Sequence, residues 1–251
     1  MLTVKDISKK IKDKKILKNV SFNVDFGSIC GLLGPNGAGK TSSFYIIAGL
    51  SNSNNGSIQL ADDDVTNMPM HKRSKLGIKY LPQEPSIFQN LTVHENLLGL
   101  AELTYNSKEE INNFVEQSIE EFNLKDICNF KGRQLSGGQR RKVEIARTLV
   151  SNPKMILLDE PFAGIDPIAI EDIKDVLKKL KSKDIGILIT DHNVRETLEL
   201  CDTAAIINNG EIIACGTKDE LISDKTVKEV YLGNMYSCLL YTSPSPRDSG
   251  K

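Results

Sequence analysis

The sequence predicts an α/β fold with an inserted helical segment. A short apolar run at 29–33 leads through a glycine-rich loop directly into an apolar helical segment at 41–50. Strand and helix patterns alternate again from about residue 155 onward. Between these parts, the stretch of about 90–134 carries helix start signals. This order of elements predicts an α/β core interrupted by a mostly helical subdomain.

Each element of the first half has a local signal. Ser21–Val24 and Ile29–Leu33 are apolar runs separated by a turn at Gly27, which predicts two strands. Gly49 lies near the end of the helical segment that follows. Strand alternation resumes at Ser57–Leu60 after a loop rich in serine and asparagine, so the first half reads as strand, loop, helix and strand.

The insertion and the second half also carry specific signals. Thr92 and Ser107 each precede a glutamate by three residues, which predicts two helices opened by capping boxes. Met155–Leu158 and Ile185–Ile189 have the composition of buried strands. Two strands then flank the dipeptide Asn209-Gly210, which predicts a tight hairpin.

Composition and charge exclude several classes of function. The 251-residue chain has 32 lysines and arginines against 33 acidic residues, so it lacks the basic field by which proteins hold nucleic acid. Its five cysteines are scattered and form no Cys-x-x-Cys pair, which argues against a disulfide framework or a zinc site and favours a reducing cytoplasm. No apolar run approaches the roughly 18 residues of a membrane span. We therefore expect no nucleic-acid partner and no direct membrane span.

A glycine-rich loop carries the phosphate-binding pattern, in which a glycine and four further residues precede Gly-Lys-Thr. Glycines let successive backbone N–H groups face phosphate oxygens, and the following helix offers the positive end of its dipole. We expect Lys40 to contact the β and γ phosphates of ATP and Thr41 to reach Mg²⁺. The expected nucleotide-binding residues of this segment are Gly34, Pro35, Asn36, Gly37, Ala38, Gly39, Lys40, Thr41 and Ser42.

Two carboxylates end the apolar strand pattern at 155–158. Because α/β sheets bind their ligands at the carboxyl ends of the strands, we expect Asp159 and Glu160 to lie beside the phosphate loop. Asp159 is the candidate Mg²⁺ ligand, and Glu160 is the candidate base that orients and deprotonates the attacking water. Taken alone, the pair could also be an exposed acidic strand end.

The pentapeptide Leu135–Gln139 predicts a second anion-binding element. Ser136 is a hydroxyl cap, and Gln139 follows three residues later, as in a capping box. Gly137 and Gly138 lie in the first helical turn, although glycine costs about 1 kcal/mol relative to alanine within a helix. Bare N–H groups at a helix start can bind phosphate, whereas helix capping alone is the alternative interpretation.

Together, these motifs resemble those of the nucleotide-binding subunits of ATP-binding-cassette (ABC) transporters over about residues 2–233. The resemblance implies a P-loop NTPase core of ABC type, with an antiparallel β subdomain and an α-helical subdomain inserted at about 90–150. These parts would form one ATP-binding domain, 1–235. Residues 236–251 are rich in serine and proline without a pattern, which predicts a disordered or non-native tail.

The same resemblance implies a homodimer that hydrolyses ATP. In this family, two copies pair head to tail. Each ATP would then lie between Lys40 of one copy and the helix start at Ser136, Gly137 and Gly138 of the other, which accounts for a second anion-binding element in a chain with one phosphate loop.

Four further residues acquire expected roles only from the resemblance. Gln83 resembles the glutamine that contacts Mg²⁺ and water, and His192 resembles the switch histidine that contacts the γ phosphate. Asp166 lies in a segment similar to the loop that crosses the dimer interface, although a helix N-cap is an equally good local account. Ile11 stands where the family usually has an aromatic residue that stacks on adenine, so we expect weaker stacking here.

Within the family, segments such as 161–167 and 189–198 resemble the ATPases of lipopolysaccharide export. This implies a cytoplasmic homodimer, peripheral on the inner membrane, that drives two integral-membrane subunits. Phe88, in a predicted loop, is either a core anchor or an apolar contact for a cytoplasmic helix of those subunits. The ATPase of a branched-chain amino-acid importer is one alternative, and a nucleotide-gated regulatory module is another. Glu160 argues against the module, because binding alone does not need a second acid.

Overall fold

Two β-sheets organise the chain, and the computed structural model describes residues 1–233. The first sheet is antiparallel, with the order β2-β1-β4-β5. Its strands are β1 (Leu2–Ile11), β2 (Lys14–Val24), β4 (Asn55–Leu60) and β5 (Asp63–Asp64). The alternating apolar residues of β1 and β2 are buried against the rest of the domain, because successive strand residues face opposite sides of a sheet.

The second sheet is mixed and has the order β10-β9-β3-β8-β7-β6. Its strands are β3 (Ile29–Leu33), β6 (Ile78–Leu81), β7 (Met155–Asp159), β8 (Gly186–Thr190), β9 (Thr203–Asn208) and β10 (Glu211–Gly216). All neighbouring pairs are parallel except β9 with β10. Asn209 and Gly210 both have positive φ, at 48° and 81°, so the predicted tight hairpin between β9 and β10 is confirmed.

Helices cover both faces of the second sheet. They are α1 (Lys40–Ala48), α2 (Met70–Leu76), α3 (Val93–Thr104), α4 (Lys108–Glu121), α5 (Gly137–Thr148), α6 (Pro167–Ser182), α7 (Val194–Leu200), α8 (Lys218–Ser223) and α9 (Lys225–Val227), followed by a π-helical turn at Lys228–Leu232. The predicted capping boxes at Thr92 and Ser107 are both formed. Between α4 and α5 the chain makes only short 3₁₀ turns, so the insertion is less helical there than at its two ends.

The strand β7, next to the edge strand β6, lies between two apolar cores. Ile156 and Leu158 pack with the helical insertion, whereas Met155 and Leu157 pack with α1 and the antiparallel sheet. Because both faces are covered, every residue of the strand is buried, as its continuous apolar run predicts. The predicted α/β class, with an antiparallel subdomain and a helical insertion, is confirmed.

Two further expectations concern membrane spans and the end of the chain. Among residues 1–233, no helix is long and apolar enough to cross a bilayer. The predicted tail at 236–251 lies outside the described residues.

Candidate functional site

The phosphate loop joins the end of β3 to the start of α1 and needs glycine at two positions. A Cβ atom at Gly34 would lie 2.0 Å from the carbonyl oxygen of Ile207, on the neighbouring strand β9. Gly39 has φ of 115°, and a Cβ there would lie 2.6 Å from Leu17 Cδ2. Close packing and a left-handed backbone therefore fix these glycines, and the loop is held tightly against the sheet.

Lys40 is buried at the start of α1, with 6% of its surface exposed. Its Nζ donates to the carbonyl oxygens of Gly34, at 2.7 Å, and Pro35, at 3.1 Å. Burial lowers the pKa of Lys40, whereas the nearby carboxylates of Glu160 and Asp159 oppose this shift. Backbone carbonyls thus hold the Lys40 ammonium over the loop. Because this ammonium is buried, a bound anion such as phosphate would stabilise it.

The two carboxylates at the end of β7 lie beside this loop but have different surroundings. Asp159 is buried, and its Oδ2 accepts a hydrogen bond from the Tyr80 hydroxyl at 3.1 Å. Burial raises the pKa of Asp159, and the hydrogen bond from Tyr80 opposes that rise. Glu160 leaves the strand with φ of 47°, and its Oε1 lies 2.6 Å from His192 Nε2. The structure therefore joins the candidate base to the candidate switch histidine.

A cavity of about 440 Å³ brings eight of the predicted residues together. Its lining consists of Lys14, Ile16, Asn36, Gly37, Gly39, Lys40, Thr41, Ser42, Glu160 and His192. Gly34 and Pro35 support the cavity through their carbonyl bonds to Lys40, and the Ala38 carbonyl accepts from the backbone of Gly210 at 2.9 Å. Loop, base and histidine thus share one space.

Ile11 does not belong to the lining of this cavity. Its side chain is 53% exposed at the end of β1. Lys14 lies directly opposite it in the β1–β2 pair and does line the cavity, as does Ile16. Sequence reasoning placed Ile11 at the base and missed these two residues, which carry no motif of their own.

The predicted second anion-binding element lies in a different place. A neighbouring cavity of about 240 Å³ is lined by Gln83, Gly137 and Glu160, among others, so Glu160 borders both cavities. Ser136 caps α5, and its Oγ accepts from the Gln139 backbone N–H at 3.3 Å, as the capping box predicts. In this chain, the helix start at Ser136 does not contribute to the cavity of the phosphate loop.

Gly138 and Asp166 have local structural explanations. A Cβ at Gly138 would lie 2.4 Å from that of Ala169, so close packing of α5 against α6 requires this glycine. Asp166 caps α6, and its Oδ1 accepts from the Ala169 backbone N–H at 3.0 Å. Gly137 is exposed, and a Cβ there would lie 3.3 Å from the Gly164 carbonyl oxygen, so its packing is less restrictive than that of Gly138.

A buried ion pair on α5 supports the site and was missed by sequence reasoning. Arg141 Nη1 lies 3.2 Å from Glu144 Oε2, and both side chains are buried. Arg141 also donates to the carbonyl oxygens of Pro82, at 2.9 Å, and Asp159, at 3.1 Å. Glu144 accepts from the Ser86 backbone N–H at 2.7 Å. This ion pair thus connects the segment around Gln83 to the end of β7. In the sequence, the pair is visible only as two opposite charges on a helix.

The donor set beside the phosphate loop fits a magnesium ion. Among the described residues, no cluster of three or more His, Cys, Asp or Glu side chains could hold a metal ion. Mg²⁺ is usually bound through one or two carboxylates together with substrate phosphates. Asp159, next to a cavity lined by Thr41, provides such an incomplete set.

Comparisons with known proteins agree with this geometry. The family model for "ABC transporter" matches residues 17–163. The lipopolysaccharide export system ATP-binding protein LptB of Haemophilus influenzae is 48% identical over 237 residues, which cover 94% of this chain and 98% of that protein. The ADP conformation of MJ1267, an ATP-binding cassette of an ABC transporter, aligns with a TM-score of 0.83 and 33% identity over 93% of this chain and 98% of that one.

A second solved structure bears on turnover. The dimeric post-hydrolysis state of the cassette MJ0796, bound to ADP and Pi, aligns with a TM-score of 0.75 and 26% identity, covering 87% of this chain and 99% of that one. The phosphate loop, the carboxylates at the end of β7 and these matches lead to one conclusion: this chain belongs to the ABC transporter family, as an ATP-binding cassette that hydrolyses ATP.

Proposed function

We propose that this cassette powers the export of lipopolysaccharide from the inner membrane. The observation that carries the proposal is its 48% identity, over nearly the full length of both proteins, to the LptB protein of Haemophilus influenzae. The cassette would act on the cytoplasmic face as a homodimer bound to two integral-membrane subunits. ATP hydrolysis would drive those subunits to extract the lipid.

The proposed roles of the site residues combine the family resemblance with this geometry. Lys40 would bind the β and γ phosphates, and Glu160 would orient and deprotonate the attacking water while His192, 2.6 Å away, contacts the γ phosphate. Thr41 and Asp159, with Gln83, would hold Mg²⁺. When bound, the ion neutralises charge on the transferred phosphoryl group.

The separation of the two cavities supports a head-to-tail dimer. Gly137 lines one cavity and the phosphate loop lines the other, so one copy cannot place the exposed helix start at Ser136 on its own nucleotide. A second copy would supply Ser136, Gly137 and Gln139, with Gly138 holding α5 in place. Asp166 would lie at the dimer interface while it caps α6.

Phe88 is suited to contact a membrane subunit. Its ring is 54% exposed, so it is not a core anchor, while its backbone N–H donates to Asn96 Oδ1 at 2.9 Å. Arg147 stacks on the ring with its guanidinium carbon 4.9 Å from the centroid. Leu91 and Phe130 are also exposed, on two segments joined by backbone hydrogen bonds. A fixed loop thus presents an apolar patch, as expected of an interface anchor.

We expect Phe88→Ala to fold normally and retain basal ATPase activity but to fail to co-purify with the membrane subunits. Truncating a central aromatic anchor can cost about 2 kcal/mol or more of binding free energy. Leu103→Ala is the matched control, because this apolar side chain is 85% exposed elsewhere on the helical insertion. A lower melting temperature of the isolated Phe88 variant, or undiminished complex formation, would argue against docking.

We expect Ile11→Tyr to tighten ATP binding. The cross-strand neighbour of Ile11, Lys14, lines the nucleotide cavity, so a ring at residue 11 starts at the edge of that cavity. Stacking of a base on an aromatic ring contributes about 1–3 kcal/mol in nucleic-acid complexes. The measurement is the ratio of ATP to GTP affinity in the variant and the parent. Unchanged affinity for both nucleotides would show that residue 11 does not meet the base.

The transport proposal is tested by purification of the cassette with its native partners. We expect two membrane subunits and bound lipopolysaccharide, both identified by mass spectrometry, and faster ATP hydrolysis in the complex than in the isolated cassette. Purification with the membrane subunits of an amino-acid importer, or without lipopolysaccharide, would contradict the proposal and leave the ATPase assignment unaffected.

A further inference from the structure

The β1–β2 hairpin concentrates positive charge outside the residues assigned above. Six lysines and a single acid, Asp13, occur within residues 9–18, whereas the whole chain has a formal net charge of −1. The hairpin has two sides. Lys14 and Ile16 line the nucleotide cavity, and four other lysines line a separate cavity. None of the lysines in the second group lines the nucleotide cavity.

This second cavity, which we call the lysine cavity, has a volume of about 400 Å³ and is lined by positively charged and uncharged residues. Its lining consists of Ser8, Lys9, Lys10, Lys15, Leu17, Lys18, Asn19, Asn54 and Asn55. It contains four ammonium groups, three side-chain amides and no carboxylate. Such a lining is complementary to an anion.

The placement of two of these lysines is expected to destabilise the sheet. Lys10 and Lys15 are directly opposite each other in the antiparallel pair, and like charges in that position are destabilising. Within residues 1–233, Lys15 makes no ion pair or side-chain hydrogen bond. Lys10 lies 3.6 Å from the fully exposed carboxylate of Asp13, and Lys18 lies 3.1 Å from Glu211. The cavity therefore retains uncompensated charge.

The floor of the lysine cavity is held by hydrogen bonds between β1 and the segment before β4. The Lys10 backbone N–H donates to Asn54 Oδ1, and the Asn54 N–H donates to the Ser8 carbonyl, both at 2.7 Å. Lys9 Nζ donates to the Asn52 carbonyl at 2.5 Å. Because the Lys10 N–H occupies the side-chain oxygen of Asn54, the amide nitrogen of Asn54 is the group left to donate to a ligand.

We propose that the lysine cavity binds a phosphate-bearing anion at a site separate from the nucleotide. Ammonium groups and amide donors match the oxygens of a phosphate, and binding would relieve the repulsion between Lys10 and Lys15. The phosphate belongs either to a free polyphosphate or to a phospholipid headgroup. The two sources are distinguished by the probe.

The test uses the full chain with Lys40→Ala, so that phosphate binding at the nucleotide loop is weakened and binding elsewhere is easier to detect. On this parent, Lys10→Gln with Lys15→Gln removes two charges from the lysine cavity. Lys72→Gln with Lys75→Gln removes two charges from the exposed surface of α2 and is the matched control. The probes are pyrophosphate, measured by calorimetry, and phosphatidylcholine vesicles with or without phosphatidic acid, measured by flotation.

We expect the cavity variant to bind the probes about 30-fold more weakly than the parent, because it loses two lysine contacts with an anion. The control variant should bind them as the parent does. Loss confined to phosphatidic-acid vesicles identifies a lipid headgroup, and loss for pyrophosphate identifies a free anion. Pyrophosphate or the vesicles should raise the melting temperature of the parent but not of the cavity variant. Absence of binding by the parent, or equal loss in the control, would overturn the proposal.

Discussion

Glu160→Gln is expected to bind ATP with unchanged affinity and to lose turnover by about 100-fold or more, the usual contribution of a general base. The amide preserves the shape of the side chain but cannot accept the proton of the attacking water. Glu160 borders both cavities, and its Oε1 lies 2.6 Å from His192 Nε2. The carboxylate therefore lies between the phosphate loop and the cavity that contains Gly137, where an attacking water could be activated. Single-turnover and steady-state ATPase assays measure the loss.

The same variant should accumulate an ATP-bound dimer, because the nucleotide that joins the two copies is no longer cleaved. Light scattering with Mg-ATP checks this. Because the variant does not hydrolyse ATP, removal of Mg²⁺ should affect the amount of dimer only by changing how tightly ATP binds. Glu102→Gln makes the same chemical change at an exposed site on α3 and should behave as wild type. Normal multiple-turnover hydrolysis by Glu160→Gln would remove Glu160 from its role as base.

The fold was predictable where a local pattern and the tertiary environment agree. The apolar run at 155–158 forms a strand buried on both faces, and Gly34 and Gly39 of the phosphate loop lie where no Cβ fits. The short strand β6 has no distinct pattern, because four residues are too few to show an alternation. Its position is fixed by pairing with β7, which is a long-range contact.

Local patterns also could not reveal how polar side chains cross between elements. Arg73 is fully buried in α2 and donates to the carbonyl oxygens of Ile46 and Ile47 at the end of α1. Arg141 similarly reaches the end of β7 from α5. In the sequence, both arginines have the pattern of solvated helix residues. Their burial is favourable only because distant carbonyl groups satisfy the guanidinium.

The site was predictable to the extent that its chemistry requires contiguous motifs. The phosphate loop, Glu160 and His192 lie around one cavity as expected. Tyr80 was missed because its hydrogen bond to Asp159 depends on the pairing of β6 with β7. The glycines after Ser136 were interpreted together, but packing against Ala169 separates them, since it explains Gly138 and not Gly137.

Lys40→Ala is expected to weaken ATP binding about 10- to 100-fold, because a hydrogen bond to a charged group contributes about 1.5–3 kcal/mol. Turnover should fall with it. Lys40 is the cation held over the phosphate loop. Burial lowers its pKa, which means that its surroundings do not fully stabilise the charged form. Bound phosphates would supply the missing negative charge. Equilibrium binding of a fluorescent ATP analogue measures the loss, and Lys72→Ala, at an exposed site on α2, is the matched control.

A structural effect of the same substitution must be separated from the loss of a phosphate contact. Lys40 also donates to the carbonyls of Gly34 and Pro35, so its removal leaves acceptors unpaired and should lower the melting temperature. If the ammonium binds the β and γ phosphates, the affinity loss should be largest for ATP, smaller for ADP and absent for AMP. Equal losses for all three nucleotides would mean that the loop has collapsed, and unchanged ATP affinity would remove Lys40 from the nucleotide site.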